Sequence, residues 1–342
     1  MQYKLLGYTG LRVSELSLGT MTFGEEWGWG ASREVSQQVF DAYAEAGGNF
    51  IDTANRYTEG TSERWLGDFL AADRDHFVLA TKYTLYDRLN DPNFNGNHRL
   101  NMMRSVEASL KRLKTDHLDV LYLHAWDGMS PIEEVLRGID DLVRQGKVIY
   151  AGISDTPAWI VARANTIADL RGWTRFNALQ IEYSLIQRTV ERELLPMAKS
   201  MDIAVTAWAA LAGGALTGKY LDGNGADKRL SEGSTRLNER SQNITREVVA
   251  IAKELGCSPA QVAINWVRQK DQVVIPIIGA RKLSQIQDSL GCLEHPLAPE
   301  HLAHLNEVSH IELGFPHDFL RSDGVKNVLF GGTYPQIDSH RL

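Results

Sequence analysis

Cysteine is nearly missing from this chain: Cys257 and Cys292 are the two in 342 residues. That excludes a disulfide framework and a cysteine-built metal cluster, and it points to reduced thiols in a cytoplasmic protein. Long apolar runs are missing as well, so no segment is expected to span a bilayer. The opening residues, Met1-Gln2-Tyr3-Lys4-Leu5-Leu6-Gly7, lack the apolar core of a secretory signal. There is no block of Lys or Arg, and the formal net charge is −7. Nucleic-acid binding therefore has no electrostatic footprint. What is present is ordinary globular material, 43% hydrophobic and 23% charged, enough for a large core.

The start reads as a β-hairpin, with Tyr3 to Leu6 and Leu11 to Val13 flanking a turn at Tyr8-Thr9-Gly10. A strand from Glu15 to Leu18 follows and ends at Gly19-Thr20. Further strands are predicted at 49–51, 77–81, 118–123, 148–152, 178–181, 204–207 and 273–277. Helices are predicted between them at 32–46, 62–71, 100–114, 131–145, 157–170, 190–200, 245–255 and 259–268. Ser130-Pro131 with Glu133 and Glu134 signals a helix start, and Gln145-Gly146-Lys147 a stop. Eight strands alternating with helices predict a (β/α)8 barrel with an N-terminal hairpin and long loops on its C-terminal face, one domain over residues 1–342. A doubly wound sheet would announce a dinucleotide site by G-x-G-x-x-G. The first strand here instead runs into Leu18-Gly19-Thr20-Met21-Thr22-Phe23-Gly24. The connection from Gly213 to Gln242 is long and rich in Gly, Ser and Asn. The tail after Leu313 reads as irregular and is expected to wrap over one face.

Polar residues close three consecutive strands. Asn49-Phe50-Ile51 runs into Asp52, with Tyr57 in the next turn. Phe77 to Thr81 runs into Lys82, and Leu118 to Leu123 into His124. In parallel α/β folds these strand ends open on one face. A nearby ammonium lowers a phenol's pKa, a carboxylate holds the ammonium, and a neutral imidazole donates a hydrogen bond. Such a set protonates an oxygen that gains negative charge, as when hydride adds to a carbonyl. Singly, each has a plain explanation: Asp52 a helix cap, Lys82 and His124 loop residues, Tyr57 a packing ring. All four at matching strand ends favour the chemical one.

These segments resemble the aldo-keto reductase family, over nearly the whole chain. "NFIDTANRY" (49–57), "VLATKY" (78–83), "DVLYLHAWD" (119–127), "LVRQGKVIYAGISD" (142–155) and "IPIIGARKLSQIQDSL" (275–290) carry the likeness. The branch it most resembles holds bacterial reductases and potassium-channel β subunits. The resemblance implies an oxidoreductase using NADPH/NADP+ on a small-molecule carbonyl substrate, with Asp52, Tyr57, Lys82 and His124 as the tetrad and Tyr57 as proton donor. It also implies cofactor contacts from Gly19, Thr20, Met21, Asp52, Ser154, Asp155, Gln180, Trp208 and Ala209. These continue through the 211–219 loop, including Leu211, Gly213 and Lys219, to Gly279, Arg281, Gln285, Asp288 and Ser289. Arg281 and Lys282 suit the extra phosphate of NADP(H). A cofactor-sensing regulatory subunit with little turnover is the alternative.

Three positions depart from the family pattern. Asp155 stands where Asn is commonest, and ionised Asp only accepts hydrogen bonds. Ala209 and Ala210 replace a Ser-Pro pair. Asp288-Ser289 replaces Glu-Asn. Gly213 to Lys219 fits the P-loop spacing G-x-x-x-x-G-K, but Tyr220 takes the place of the Mg²⁺-binding hydroxyl. His301, His304 and His310 with Glu307 read as a polar helix face, and no metal site is expected. Trp27, Trp29, Tyr86 and Trp126 lie in loops after strands and are candidates to shape a pocket for apolar or aromatic carbonyl compounds.

Overall fold

The structure is a computed structural model that describes residues 1–221, 230–231 and 233–338. Part of the long connection expected after Gly213 falls outside them. The chain opens with β1 (Tyr3–Leu5) antiparallel to β2 (Arg12–Ser14). Parallel strands then alternate with helices: β3 (Ser17–Gly19), α1 (Arg33–Glu45), β4 (Phe50–Asp52), α2 (Thr61–Phe69), β5 (Val78–Tyr83) and α3 (Arg99–Leu113). Next come β6 (Leu118–Leu123), α4 (Ile132–Arg144), β7 (Val148–Ser154), α5 (Ala158–Arg171), β8 (Phe176–Glu182), α6 (Leu194–Ser200) and β9 (Ala204–Trp208). The series ends with α7 (Glu239–Leu255), α8 (Pro259–Arg268), β10 (Val274–Ile278), α9 (Leu283–Leu290) and α10 (Pro299–Val308). Strands β3 to β10 close on themselves, with β10 pairing β3 as well as β9. This is a (β/α)8 barrel.

Alternation along the strands builds two cores. Phe50, Val78, Ala80, Val120, Tyr122, Ala178, Ala204 and Ile275 point inward and fill the barrel. Their neighbours, such as Ile51, Leu79, Leu121 and Val205, pack outward against the helices. Gly152 makes the inner packing possible. A Cβ there would sit 2.4 Å from the Tyr122 ring. Leu6 and Val13 of the hairpin join the inner core and close the N-terminal end. The chain turns there at Gly7, φ 59°, whose position leaves no room for a Cβ against Asn177 O at 2.4 Å.

Local chemistry explains several helix ends. Ser32 caps α1, and α8 begins with Pro259 inside a Ser258–Gln261 capping box. Helix α4 ends where expected, with Gly146 at φ 72° and Lys147 N–H bonded to Leu142 O. Its start differs from expectation. Pro131, not Ser130, occupies the cap position, because Asp127 engages both the backbone and the hydroxyl of Ser130. The helix expected at 190–200 begins only at Leu194, after a short 3-10 turn at Thr189–Glu191. Pro196 lacks the N–H that a longer helix would need from it, so it falls in the first turn. Helix α7 starts earlier than expected, at Glu239, under an Asn238 cap. The tail is not irregular throughout: α11 (His317–Arg321) and α12 (Asp323–Phe330) form there, with Phe319, Leu320, Val328 and Leu329 exposed.

Candidate active site

The C-terminal strand ends deliver the four sequence-identified residues to one place. Asp52 ends β4, Lys82 lies near the end of β5, and His124 follows β6. Register fixes their heights, since Asp52 pairs with Ala80 and Lys82 with Tyr122. Tyr57 is placed by the turn after β4. Thr58 and Glu59 adopt left-handed φ values of 46° and 54°, followed by Gly60 at 79°. Strain of this kind persists only where surroundings over-determine it. Here the Thr58 hydroxyl is tied to Phe23 O at 2.5 Å.

Lys82 Nζ spends all three of its donors inside this cluster: on Asp52 Oδ2 at 2.7 Å, Thr53 O at 2.8 Å and Tyr57 Oη at 3.1 Å. Asp52 Oδ1 accepts from Gln180 Nε2 at 2.8 Å. The Tyr57 and His124 rings meet edge to face at 5.9 Å. Because Tyr57 Oη already accepts from Lys82, its own O–H can point away from the lysine. Among the described residues, the buried Nδ1 atom of His124 has no hydrogen-bond partner.

Burial dominates the electrostatics. It opposes charge on Lys82, but the Asp52 carboxylate and Tyr57 outweigh it and hold the ammonium above its ordinary pKa of 10.5. Burial pushes the Tyr57 phenol up, and Lys82 only partly offsets this. The expected net lowering of the Tyr57 pKa is therefore not seen. The ammonium already faces a carboxylate, and a buried phenolate is costly. Burial, with Lys82 adding to it, pulls His124 down to about 3. The imidazole is neutral.

The cluster forms one end of a cavity of about 600 Å³, well within the size of small-molecule sites. Its wall includes Gly19, Met21, Asp52, Tyr57, His124, Ser154, Asp155, Gln180, Trp208, Ala209 and Leu211. It continues through Gly213, Lys219, Gly279, Arg281, Gln285, Asp288 and Ser289. Thr20, expected among them, is buried behind the wall, where its hydroxyl donates to Asp52 O and accepts from Ser62. Trp27 lines the cavity, but Trp29, Tyr86 and Trp126 are not in its wall. Trp29 packs on Trp27 at 5.7 Å, and the Tyr86 ring lies under Arg56 at 4.3 Å. Trp126 packs against the outer core. Arg56, Leu85 and Arg236 line the cavity and were not anticipated. Arg56 directly precedes Tyr57, a signal that adjacency could have supplied. Arg236 reaches the wall through its pair with Glu182 at 2.5 Å, which nothing local in sequence announces. His301 and His304 bond Glu254 and Glu247 separately, while His310 lies beyond α10.

The sequence profile described as the Aldo/keto reductase family matches residues 15–310. The chain belongs to the aldo/keto reductase family. It is thus an NAD(P)-dependent oxidoreductase. It is 38% identical over 336 residues to a norsolorinic acid reductase of Emericella nidulans, covering 92% of this chain and 85% of that protein. It is 37% identical over 330 residues to a putative aryl-alcohol dehydrogenase of Saccharomyces cerevisiae, covering 92% and 88%. It is also 37% identical over 336 residues to an aryl-alcohol dehydrogenase [NADP(+)] of Phanerodontia chrysosporium, covering 92% and 87%.

The residues of this reductase fit a nicotinamide cofactor. At the tetrad end, Ser154, Asp155 and Gln180 offer a hydroxyl, a carboxylate and an amide, the donors and acceptors that a carboxamide needs. Beyond Trp208, Gly213 and Gly214 are both left-handed, at φ 69° and 93°, and form a side-chain-free cradle. Lys219 brings positive charge beside Gly214, and Arg281 adds a second cation to the cavity wall. The spacing that mimics a P-loop is this cradle. It follows β9 as a short turn at Ala212–Thr217.

Proposed function

We propose that this aldo/keto reductase reduces aldehydes or ketones to alcohols with NADPH, Tyr57 giving the proton. One observation carries the reading: a fully buried ammonium, Lys82, hydrogen-bonds both a carboxylate and a phenol that line the cavity. When bound, the cofactor supplies hydride to the carbonyl carbon. The Tyr57 O–H protonates the carbonyl oxygen as negative charge builds on it. Lys82 then stabilises the resulting phenolate, and Asp52 keeps Lys82 charged and in place. His124, neutral and beside Tyr57, holds the carbonyl oxygen through its ring N–H.

Ser154, Asp155 and Gln180 would hold the carboxamide, and Trp208 would cover the ring with its flat indole. The 211–219 loop would take the pyrophosphate. Arg281, two residues before α9, would bind the ribose phosphate that separates NADP(H) from NAD(H). Trp27 and Leu85 give the substrate end an apolar wall, which suits aryl carbonyl compounds. The reading treats residues 1–342 as one reductase domain. The test is a panel of aromatic and aliphatic aldehydes and ketones, followed by NADPH absorbance with NADH in parallel. Turnover of aryl aldehydes with NADPH is expected. Tight NADPH binding without turnover across the panel would overturn the reading in favour of a cofactor-sensing subunit.

A further inference from the structure

Among the described residues, Asp155 is a carboxylate of the cavity wall with no cation paired to it. Asp52 has Lys82, and Glu182 has Arg236. Among the described residues, Asp155 makes no ion pair, and its side-chain partner is the Trp208 indole N–H, at 3.2 Å from Oδ1. The backbone fixes its place. Asp155 directly follows β7, which pairs with the strand leading to His124, Ile153 facing Leu123. Its N–H bonds Gln180 O at 3.2 Å, and its carbonyl accepts from Trp126 N–H at 3.5 Å. Asp155 takes φ 42°, which Asp and Asn tolerate better than other side chains do.

The inference rests on the proposed carbonyl reduction. A nicotinamide ring able to react with a carbonyl held by Tyr57 and His124 would have to sit beside them in this cavity. Asp155 shares the cavity wall with both residues; burial raises its carboxyl above the ordinary value, opposed by the Trp208 N–H and the Lys82 ammonium. A ring at that spot lies in the field of this carboxylate. The oxidised ring carries one positive charge that the reduced ring lacks.

We propose that Asp155 sets the redox poise of the cofactor site, its carboxylate stabilising the oxidised cofactor relative to the reduced one. Asp155 would place an anion in advance beside a group that gains one positive charge when it gives up hydride, two electrons with a proton, to the carbonyl carbon. The reduced cofactor is therefore a stronger hydride donor on this protein than it would be beside an asparagine. The cofactor is held by differential affinity for its two states, so the effect is readable in binding alone.

The experiment is a titration of the full-length protein with NADP+ and with NADPH, by calorimetry, for wild type and Asp155→Asn. Asparagine keeps the size, the left-handed backbone and an acceptor for the Trp208 N–H. Asp155→Ser serves as a second neutral variant. In an open, partly screened cleft the expected change is on the order of tenfold. The ratio Kd(NADP+)/Kd(NADPH) should rise by that factor in both variants, equivalent to about 30 mV for a two-electron couple. An unchanged ratio, whether both affinities hold or fall together, overturns the proposal and leaves Asp155 as a simple carboxamide contact. Failure of wild type to bind either cofactor would instead strike at the proposed function, and this inference with it.

Discussion

Lys82→Met isolates the central ion pair. The substitution keeps the linear side chain and removes the charge. Lys82 is fully buried and the Asp52 side chain is 5% exposed, so the mutant leaves a carboxylate stranded in the core. Breaking a buried pair from one side costs about 3–5 kcal/mol. Gln180 still donates to Asp52 Oδ1, which favours the lower end, about 3 kcal/mol. With about 2.1 cal/mol/K of unfolding entropy per residue over 342 residues, that is a fall in Tm of about 4 °C. Asp52→Asn/Lys82→Met removes both charges and should recover at least ~1 kcal/mol relative to Lys82→Met alone. The assay is urea unfolding of wild type, both singles and the double, with thermal melts alongside. The pH dependence has a fixed sign. Lys82 is raised above 10.5 in the fold, so its contribution is complete at lower pH and disappears only as pH climbs through the folded value. The gap between wild type and Lys82→Met should thus be flat from neutrality to about pH 9–10. A loss below ~1 kcal/mol in the single, or a double no better than the single, would refute the claim that Asp52 depends on Lys82 for its charge balance.

Tyr57→Phe should lower kcat for carbonyl reduction by about 10²-fold or more while NADPH affinity holds; near-normal turnover would remove Tyr57 as the acid. His124 is neutral in the fold, held down to about 3, whereas an unfolded histidine takes a proton near 6.5. Wild type should therefore lose stability relative to His124→Gln as pH falls from about 6.5 toward 3; parallel stability curves would show that the ring is not buried neutral. Arg281→Ala should weaken NADPH by about 10-fold or more and NADH far less, the share of a charge-assisted phosphate contact. Equal loss for the two, read from dissociation constants, would place the ribose phosphate elsewhere. Trp208→Ala should weaken both NADPH affinity and the quench of tryptophan fluorescence on binding, and an intact quench would exclude ring stacking at Trp208.

Much of this site was legible in the chain because strand ends are local features. Short apolar runs that stop at Asp52, Lys82 and His124 place those side chains once the strands are parallel. The family resemblance added expected cofactor positions from Gly19 to Ser289, and nearly all of those residues line the cavity. Thr20 does not, because its hydroxyl is drawn to Asp52 O and Ser62. Of the candidate pocket aromatics, Trp27 reaches the wall, while Tyr86 is held under Arg56. Loop residues after strands can face either way, and sequence carries no sign of which.

The sequence by itself determined the barrel, its hairpin and which residues gather at the ends of β4, β5 and β6. Each depends on period, on turn residues and on which residue follows which strand, and these are local along the chain. Tertiary structure decided the balances between distant groups. It set the Tyr57 phenol above its ordinary pKa, since burial outweighs an ammonium already engaged by Asp52. It brought Gln180 to Asp52, 128 positions away, and Arg236 to Glu182, 54 positions away. It also left Asp155 with an indole N–H where its neighbours have cations. Desolvation and pairing are sums over everything that packs around a group, and only the closed barrel assembles the terms of that sum.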